Sequence, residues 1–205
     1  SAERFIMASK LTSSLTAVAA VLVVFVIIAW VVTKQAESSR VDLPILGDVT
    51  PYSFVDHEGK TFTRDSTTGQ LTVYSFFFTG CKGVCPVMNS RLSSLYTSFR
   101  GSSRVRLVSI SVDPDVDSIP VIAAYAAQNG VVDRNWLFVR GPIDEVKQLC
   151  EKSFLLAADG FPSNHPVKFI LVDDQSRIRG FYEGTDEESV RYLKGHIREL
   201  ARTLQ

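Results

Sequence analysis

The sequence is poor in cysteine, histidine and methionine, and it carries no net charge. Its 205 residues include three cysteines, three histidines and two methionines, with 22 basic and 22 acidic side chains. Three cysteines are too few for a small scaffold held together by disulfides. Because the chain has no basic patch and no run of interleaved lysine and aromatic residues, we expect no nucleic-acid partner. It also lacks internal repeats and low-complexity segments, which favours one ordinary domain with its own core.

One long apolar run lies near the N-terminus. Residues 11–33 contain no charged side chain, and a helix of that length measures about 34 Å, enough to cross a hydrocarbon core of about 30 Å. A cleaved signal peptide is the competing interpretation, but its apolar region is usually about 7–15 residues long and ends at a small-residue site. We therefore predict an uncleaved transmembrane helix over 11–33, with its N-terminus inside, between a tail over 1–10 and a polar tether over 34–50.

Residues 51–205 alternate between strand and helix patterns. Residues 71–78 are almost continuously apolar or β-prone, which is typical of a central strand covered on both faces. Further strands are predicted in a hairpin over 52–62 and at 104–112, 136–139, 168–172 and 177–183. Helices are predicted from the cysteine motif through Phe99, over about 118–128, from 142 to 150 and over about 186–203. This order predicts an α/β fold with a mixed sheet flanked by helices on both faces. A cysteine after the first long strand, at the start of a helix, matches the thioredoxin-like plan.

Two cysteines lie where that central strand gives way to a helix. Cys81 and Cys85 are four positions apart and Pro86 follows them. If both lie in the first helical turn, their sulfurs project from one face, with Cβ atoms about 5–6 Å apart. Free N–H groups and the helix dipole favour anions at this end, so at least one thiol is predicted to have a lowered pKa. The pair suits either a soft metal ion or a disulfide.

Two thiolates alone are an incomplete site for most metals, and His165 is the candidate third ligand. It lies in a loop just before a predicted strand, where an imidazole can point over the end of the sheet. Two cysteines and one histidine suit trigonal Cu(I), Cu(II) with one further ligand, or Zn²⁺ with a fourth. His57, in a hairpin turn, and His196, on the solvent side of the last helix, are interpreted as ordinary structural residues.

The remaining polar candidates receive structural interpretations. Cys150 lies on the apolar face of a short predicted helix, so we expect a buried core thiol. Asp113, Asp115 and Asp117 form a carboxylate cluster after a strand. We expect Asp113 to form the turn and Asp117 or Ser118 to cap the next helix, with Asp113 as a lesser candidate for shaping the site.

Several of these motifs, taken in order, resemble the Sco/SenC family of membrane-anchored, thioredoxin-like copper proteins of cytochrome c oxidase assembly. The motifs are residues 54–59, 76–86, 111–114 with Asp117, 141–145, and His165 followed by 169–173. The resemblance implies that Cys81, Cys85 and His165 bind copper. It also implies delivery of copper to the binuclear site of oxidase subunit II by a carrier rather than an enzyme.

Two alternatives remain open under the same resemblance. In a thiol–disulfide reductase acting on the cysteines of subunit II, Cys81 and Cys85 would be the catalytic pair, one attacking and one resolving. In a permanent accessory subunit of a respiratory complex, the anchor would pack against other spans. The resemblance further implies a single-pass protein of the bacterial cytoplasmic membrane or the mitochondrial inner membrane, with its domain facing the periplasm or the intermembrane space.

Two positions depart from the family pattern. Gly83 stands where the family often has an acidic residue between the cysteines, and Pro166 stands where serine commonly follows the histidine. Pro166 restricts the backbone of His165 and makes a cis peptide bond before it an option. Both changes leave the predicted ligands intact.

Overall fold

The computed structural model describes residues 21–31 and 43–204. They belong to two units, residues 1–42 and residues 43–205. Residues 21–31 of the first unit form a helix, α1, whose side chains are exposed. Across the two described ranges, no helix combines the length and the apolar character that a bilayer crossing requires. The predicted tail and most of the predicted span over 11–33 lie outside these ranges, so the transmembrane helix stays a prediction.

The second unit is built on one sheet of eight strands, in the order β1-β8-β7-β4-β5-β6-β2-β3. The strands are β1 Gly47–Asp48, β2 Ser53–Asp56, β3 Thr61–Thr63, β4 Leu71–Phe77, β5 Val105–Ser111, β6 Trp136–Arg140, β7 Lys168–Val172 and β8 Arg177–Glu183. The helices are α2 Cys85–Phe99, α3 Ile119–Gln128, α4 Ile143–Gln148 and α5 Glu187–Thr203. A 3₁₀ turn covers Arg64–Thr67, and a π turn over Leu149–Ser153 extends α4.

The sheet is mixed, and its centre is parallel. β4 pairs in parallel with β5, and β5 with β6, while β7 runs antiparallel to β4 and closes a hairpin with β8. Parallel neighbours bring their carboxyl ends to one edge of the sheet, and β4 leads directly into the cysteine segment there. This arrangement confirms the predicted mixed α/β sheet and places the predicted site at the edge where α/β proteins commonly bind ligands.

Helices cover both faces of the sheet, which explains why β4 is apolar throughout. Successive strand side chains point to opposite faces, so Val73 joins one apolar cluster and Tyr74 the other. The first cluster lies under α2, α3 and α5, which contribute fully buried side chains such as Leu92, Ile122 and Leu193. The second lies under α4 and its π turn. Each such aliphatic side chain contributes roughly 1.5–3 kcal/mol of burial free energy.

The domain begins earlier than the predicted tether allows. Leu43 and Val49 are buried, and β1 pairs with β8, so that Gly47 lies opposite Ile178. Residues 43–50 therefore belong to the folded unit, whereas residues 34–42 lie outside the described part of the chain. The polar composition of this stretch concealed the strand, because β1 contains only two residues and offers no alternating pattern.

Candidate metal and thiol site

Cys81 and Cys85 lie in the connection between β4 and α2. The chain turns at Thr79 and reaches the first residue of α2 at Cys85. Pro86 occupies the first turn of the helix, where its missing N–H has no helical partner to lose. Only Cys85 belongs to the helix, and Cys81 lies in the loop before it. The spacing predicted both sulfurs in the first helical turn, but the structure places only the sulfur of Cys85 there.

The three predicted ligand residues come together in the structure. Cys81, Cys85 and His165 each present one ligand atom, and these atoms lie within 4.8 Å of one another. Sγ of Cys85 is 3.1 Å from Nε2 of His165. Three donors around one soft ion, at bond lengths of about 2.0–2.3 Å, lie roughly 3.5–4.0 Å apart in a trigonal plane. Small side-chain movements would thus fit these donors to an ion, and metal binding by them stays a prediction.

The orientation of His165 keeps one ring nitrogen available. Nδ1 lies 3.2 Å from the carbonyl oxygen of Pro166, and because a carbonyl can only accept, Nδ1 carries the ring proton. Nε2 then keeps its lone pair, directed at Cys85. The ring is only 5% exposed and stands edge-on to Phe78, with the two centroids 5.7 Å apart. The cis peptide bond of this loop precedes Pro162 and not Pro166.

The two thiols have different acidities. Burial raises the pKa of the Cys85 thiol to about 12, and a hydrogen bond with Cys81 adds to the rise. Burial also acts to raise the pKa of Cys81, but hydrogen bonds from the Cys85 thiol and from the backbone N–H groups of Gly83, Val84 and Cys85 outweigh it, so this pKa is lowered. The predicted lowering is confirmed for Cys81, and Cys85 shows the opposite shift. Cys85 therefore stays protonated at neutral pH, and its sulfur lies 3.1 Å from Nε2 of His165.

Asp117 supports the cysteine loop, a role that the sequence did not predict. Its carboxylate is fully buried. Oδ1 accepts hydrogen bonds from the backbone N–H of Thr79 at 3.2 Å and from its hydroxyl at 2.5 Å, and Oδ2 accepts the Ser111 hydroxyl at 2.5 Å. Asp117 thus ties the loop before Cys81 to the end of β5. Of the two predicted caps, Asp117 or Ser118, it is Ser118 that holds the N-cap position of α3, without a side-chain hydrogen bond.

The other two carboxylates of the cluster stay in the turn. The carbonyl oxygen of Asp113 accepts hydrogen bonds from the N–H groups of Val116 and Asp117, which confirms the predicted turn. Burial, together with the charges of Asp117 and Asp115, raises the pKa of Asp113. Within residues 21–31 and 43–204, the group of possible metal ligands consists of the two cysteines and the histidine, without Asp113 or Asp115.

The remaining cysteine and histidines lie apart from the site. Cys150 is buried in the core, with Sγ 3.5 Å from the carbonyl oxygen of Leu156, as expected of a structural thiol. Nδ1 of His57 accepts the backbone N–H of Phe138 and so fixes the hairpin turn. His196 is half-buried rather than on the solvent side, because its Nδ1 lies 2.7 Å from the hydroxyl of Tyr182.

Comparison with known families decides the relationship of the chain. A family model described as SCO1/SenC matches residues 47–201, which is nearly the whole second unit. The chain belongs to the SCO1/SenC family. The resemblance inferred from the motifs is confirmed.

Curated family members are distant in sequence. The SCO1 protein homolog of Bacillus subtilis (strain 168) is 27% identical over 149 residues, covering 70% of this chain and 77% of the relative. Protein SCO2, mitochondrial, of Saccharomyces cerevisiae is 25% identical, covering 76% of this chain and 54% of the relative. Protein SCO1 homolog 1, mitochondrial, of Arabidopsis thaliana is 30% identical, covering 73% and 46%. The chain spans about half the length of these two mitochondrial relatives.

Solved structures of the family share the fold. BsSco, a member of the Sco family of cytochrome c oxidase assembly proteins in which a disulfide switch was identified, superposes with a TM-score of 0.71 at 26% identity, covering 82% of this chain and 100% of BsSco. Arabidopsis thaliana ScoI with copper bound superposes with a TM-score of 0.61 at 23% identity, covering 77% of this chain and 99% of ScoI. The predicted thioredoxin-like sheet is thereby confirmed.

Proposed function

We propose that this SCO1/SenC protein binds copper through Cys81, Cys85 and His165 and delivers it during assembly of cytochrome c oxidase. The observation that carries the proposal is the convergence of two sulfurs and one imidazole nitrogen within 4.8 Å. This donor set favours copper over Mg²⁺ or Ca²⁺, which prefer oxygen ligands. Family members solved with copper bound, from Arabidopsis thaliana and yeast, support this choice.

The recipient we propose is the binuclear copper site of oxidase subunit II or the respiratory complex that contains it. Support comes from BsSco, which is described as a cytochrome c oxidase assembly protein. We also propose that the apolar residues 11–33 anchor the chain in the bacterial cytoplasmic or mitochondrial inner membrane. The domain would then face the periplasm or the intermembrane space.

Metal analysis of the reduced protein tests this proposal. The wild-type protein should bind one copper per chain, and His165→Ala should lose nearly all of it, because two thiolates are left without a third donor. His196→Ala is the matched control, since it removes an imidazole that contacts Tyr182 and not the cysteines. If His165→Ala keeps the affinity and the spectrum of the wild type, the three-ligand site is refuted.

A second candidate function is a thiol–disulfide reductase, and the unequal burial of the two cysteines favours it. Cys81 is partly exposed while Cys85 is 1% exposed. An accessible attacking thiol backed by a buried resolving thiol is the arrangement that disulfide exchange uses. Full reductase activity in His165→Ala, without any requirement for copper, would favour this function over copper delivery.

A further inference from the structure

A groove of about 500 Å³ opens beside Cys81, between α2 and the end of α3, and His165 is not among the described residues that line it. Its floor contains Asn89, whose Nδ2 donates to the hydroxyl of Tyr125 at 2.6 Å. Ser93 and Gln128 contribute to its walls. No charged side chain is among the described residues that line it. The groove therefore offers amides and hydroxyls together with one thiol.

This lining selects the chemistry of an occupant. Amide and hydroxyl groups can both donate and accept hydrogen bonds, so they complement the alternating N–H and C=O groups of an extended peptide backbone. Phosphate or carboxylate groups would find no opposite charge in the groove, and their desolvation would go uncompensated. The volume lies within the range of about 300–1,000 Å³ that is usual for ligand sites. An uncharged stretch of polypeptide is the occupant that these groups fit.

Access to the sulfurs runs through the same groove. Cys85 is 1% exposed, and its Sγ faces Nε2 of His165, so an incoming molecule cannot reach it first. Cys81 lines the groove and is partly exposed. Copper transfer between thiolates and disulfide exchange both require the partner's sulfur to approach Cys81 closely.

We propose that this groove binds an extended, uncharged peptide segment of the partner protein and brings a cysteine of that segment against Cys81. The proposal rests on the proposed function, because it specifies how the recipient's thiols reach the copper and thiol site. Hydrogen bonds between the groove and the peptide backbone supply the affinity, and the position of the cysteine in the segment determines which residues of the peptide lie in the groove.

A peptide disulfide with a small leaving group tests the groove. The probe is N-acetyl-Ala-Ala-Cys-Ala-Ala-amide joined through its sulfur to 4-thiopyridine, and the reference is 4,4′-dithiodipyridine, which has the same leaving group without a peptide. The Cys81 thiolate attacks the peptide sulfur, a new S–S bond forms, and thiopyridine leaves. Cys85 then attacks the Cys81 sulfur and releases the peptide thiol. The protein dithiol is oxidised by two electrons, and the probe disulfide is reduced by two.

The measured quantity is the rate of thiopyridine release by the reduced protein. With wild type, the peptide probe should show saturation and the reference should not. Ser93→Phe fills the groove and should slow the peptide probe by about tenfold, equivalent to a lost hydrogen bond or two, while leaving the reference rate unchanged. Ser94→Phe, on the same helix but outside the groove, is the matched control. A peptide probe that is N-methylated at its backbone should react with the wild-type protein as slowly as the unmethylated probe reacts with Ser93→Phe.

Gln128→Ala gives a second variant, at the exposed end of α3, should the larger side chain disturb folding. Equal slowing of both probes, or no slowing of either, would overturn the docking proposal. Copper stoichiometry, measured in parallel, should remain one per chain in Ser93→Phe. A wild-type protein that binds copper but does not distinguish the peptide probe from the reference therefore refutes the docking site alone, whereas absence of copper in the wild type refutes the proposed function.

Discussion

Replacement of Asp117 by alanine would remove the support beneath the cysteine loop. The carboxylate is fully buried and accepts hydrogen bonds from the backbone N–H of Thr79 and from the hydroxyls of Thr79 and Ser111. Asp117→Ala leaves all three donors without this acceptor. Hydrogen bonds to a charged group contribute about 1.5–3 kcal/mol each, but removal of a buried charge recovers part of its desolvation free energy. We expect a net loss of about 2–4 kcal/mol from a typical stability of about 5–15 kcal/mol.

Urea unfolding of the metal-free protein measures this loss as a fall in the midpoint at constant slope. Asp117→Asn keeps the shape and one carbonyl acceptor, so its loss should be smaller, about 1 kcal/mol. Asp115→Ala, in the same turn but exposed, is the control and should change stability by less than about 0.5 kcal/mol. Because Thr79 is two positions from Cys81, copper affinity should also fall about tenfold in Asp117→Ala. If Asp117→Ala and Asp115→Ala unfold at the same urea concentration, the supporting role is refuted.

Four further changes test other parts of the domain. Cys150→Ala should keep one copper per chain in metal analysis, because this thiol packs on the opposite face of the sheet from the site. Asp173→Asn should lower the free energy of unfolding, measured by urea denaturation above about pH 5, by about 2 kcal/mol. Hydrogen bonds from two arginines outweigh burial and lower the pKa of Asp173. The contribution of this carboxylate to stability is therefore present above the unfolded pKa of about 3.9 and is lost as pH falls through the folded pKa. The stability difference between Asp173→Asn and wild type should shrink over that pH range. Gly141→Ala should lower the free energy of unfolding by about 1–3 kcal/mol in thermal denaturation, since the added Cβ would lie 2.1 Å from Phe54. Gly83→Ala is the control, because its added Cβ meets no atom within 4 Å and should leave stability unchanged.

Local patterns predicted most of the fold because its elements are strongly periodic. The continuous apolar run of β4 and the hairpin of β7 and β8 lie where the sequence indicated. The apolar side chains on one face of α5 are buried, as their helical spacing predicts. Asp186 caps this helix, since its side chain accepts the N–H of Ser189 at 2.8 Å. His165 meets the cysteines because its loop leads into β7, which pairs with β4. The pairing of β7 with β4 therefore explains why three residues that are distant in sequence form one site.

The features that escaped prediction depend on contacts between distant positions. The hydrogen bonds between Asp117 and Thr79 join residues 38 positions apart in the chain, and nothing in the local turn pattern distinguishes such a partner from a helix cap. Helical spacing places His196 on the solvent side of α5, yet the hydroxyl of Tyr182 on β8 contacts it across the packing of helix and sheet. The groove beside Cys81 depends on the separation of two helices, which sequence periodicity does not determine.

The unequal burial of the two sulfurs determines how both proposed functions proceed. Cys85 keeps its proton at neutral pH, because burial raises the pKa of its thiol to about 12, whereas Cys81 opens onto the groove. Thiolates rather than thiols bind metals, so copper loading must release the Cys85 proton and weaken as pH falls. Disulfide exchange makes the same demand only in its second step, when Cys85 attacks the Cys81 sulfur. A partner's sulfur therefore meets Cys81 first in either function, and discrimination between partners falls to the groove beside it.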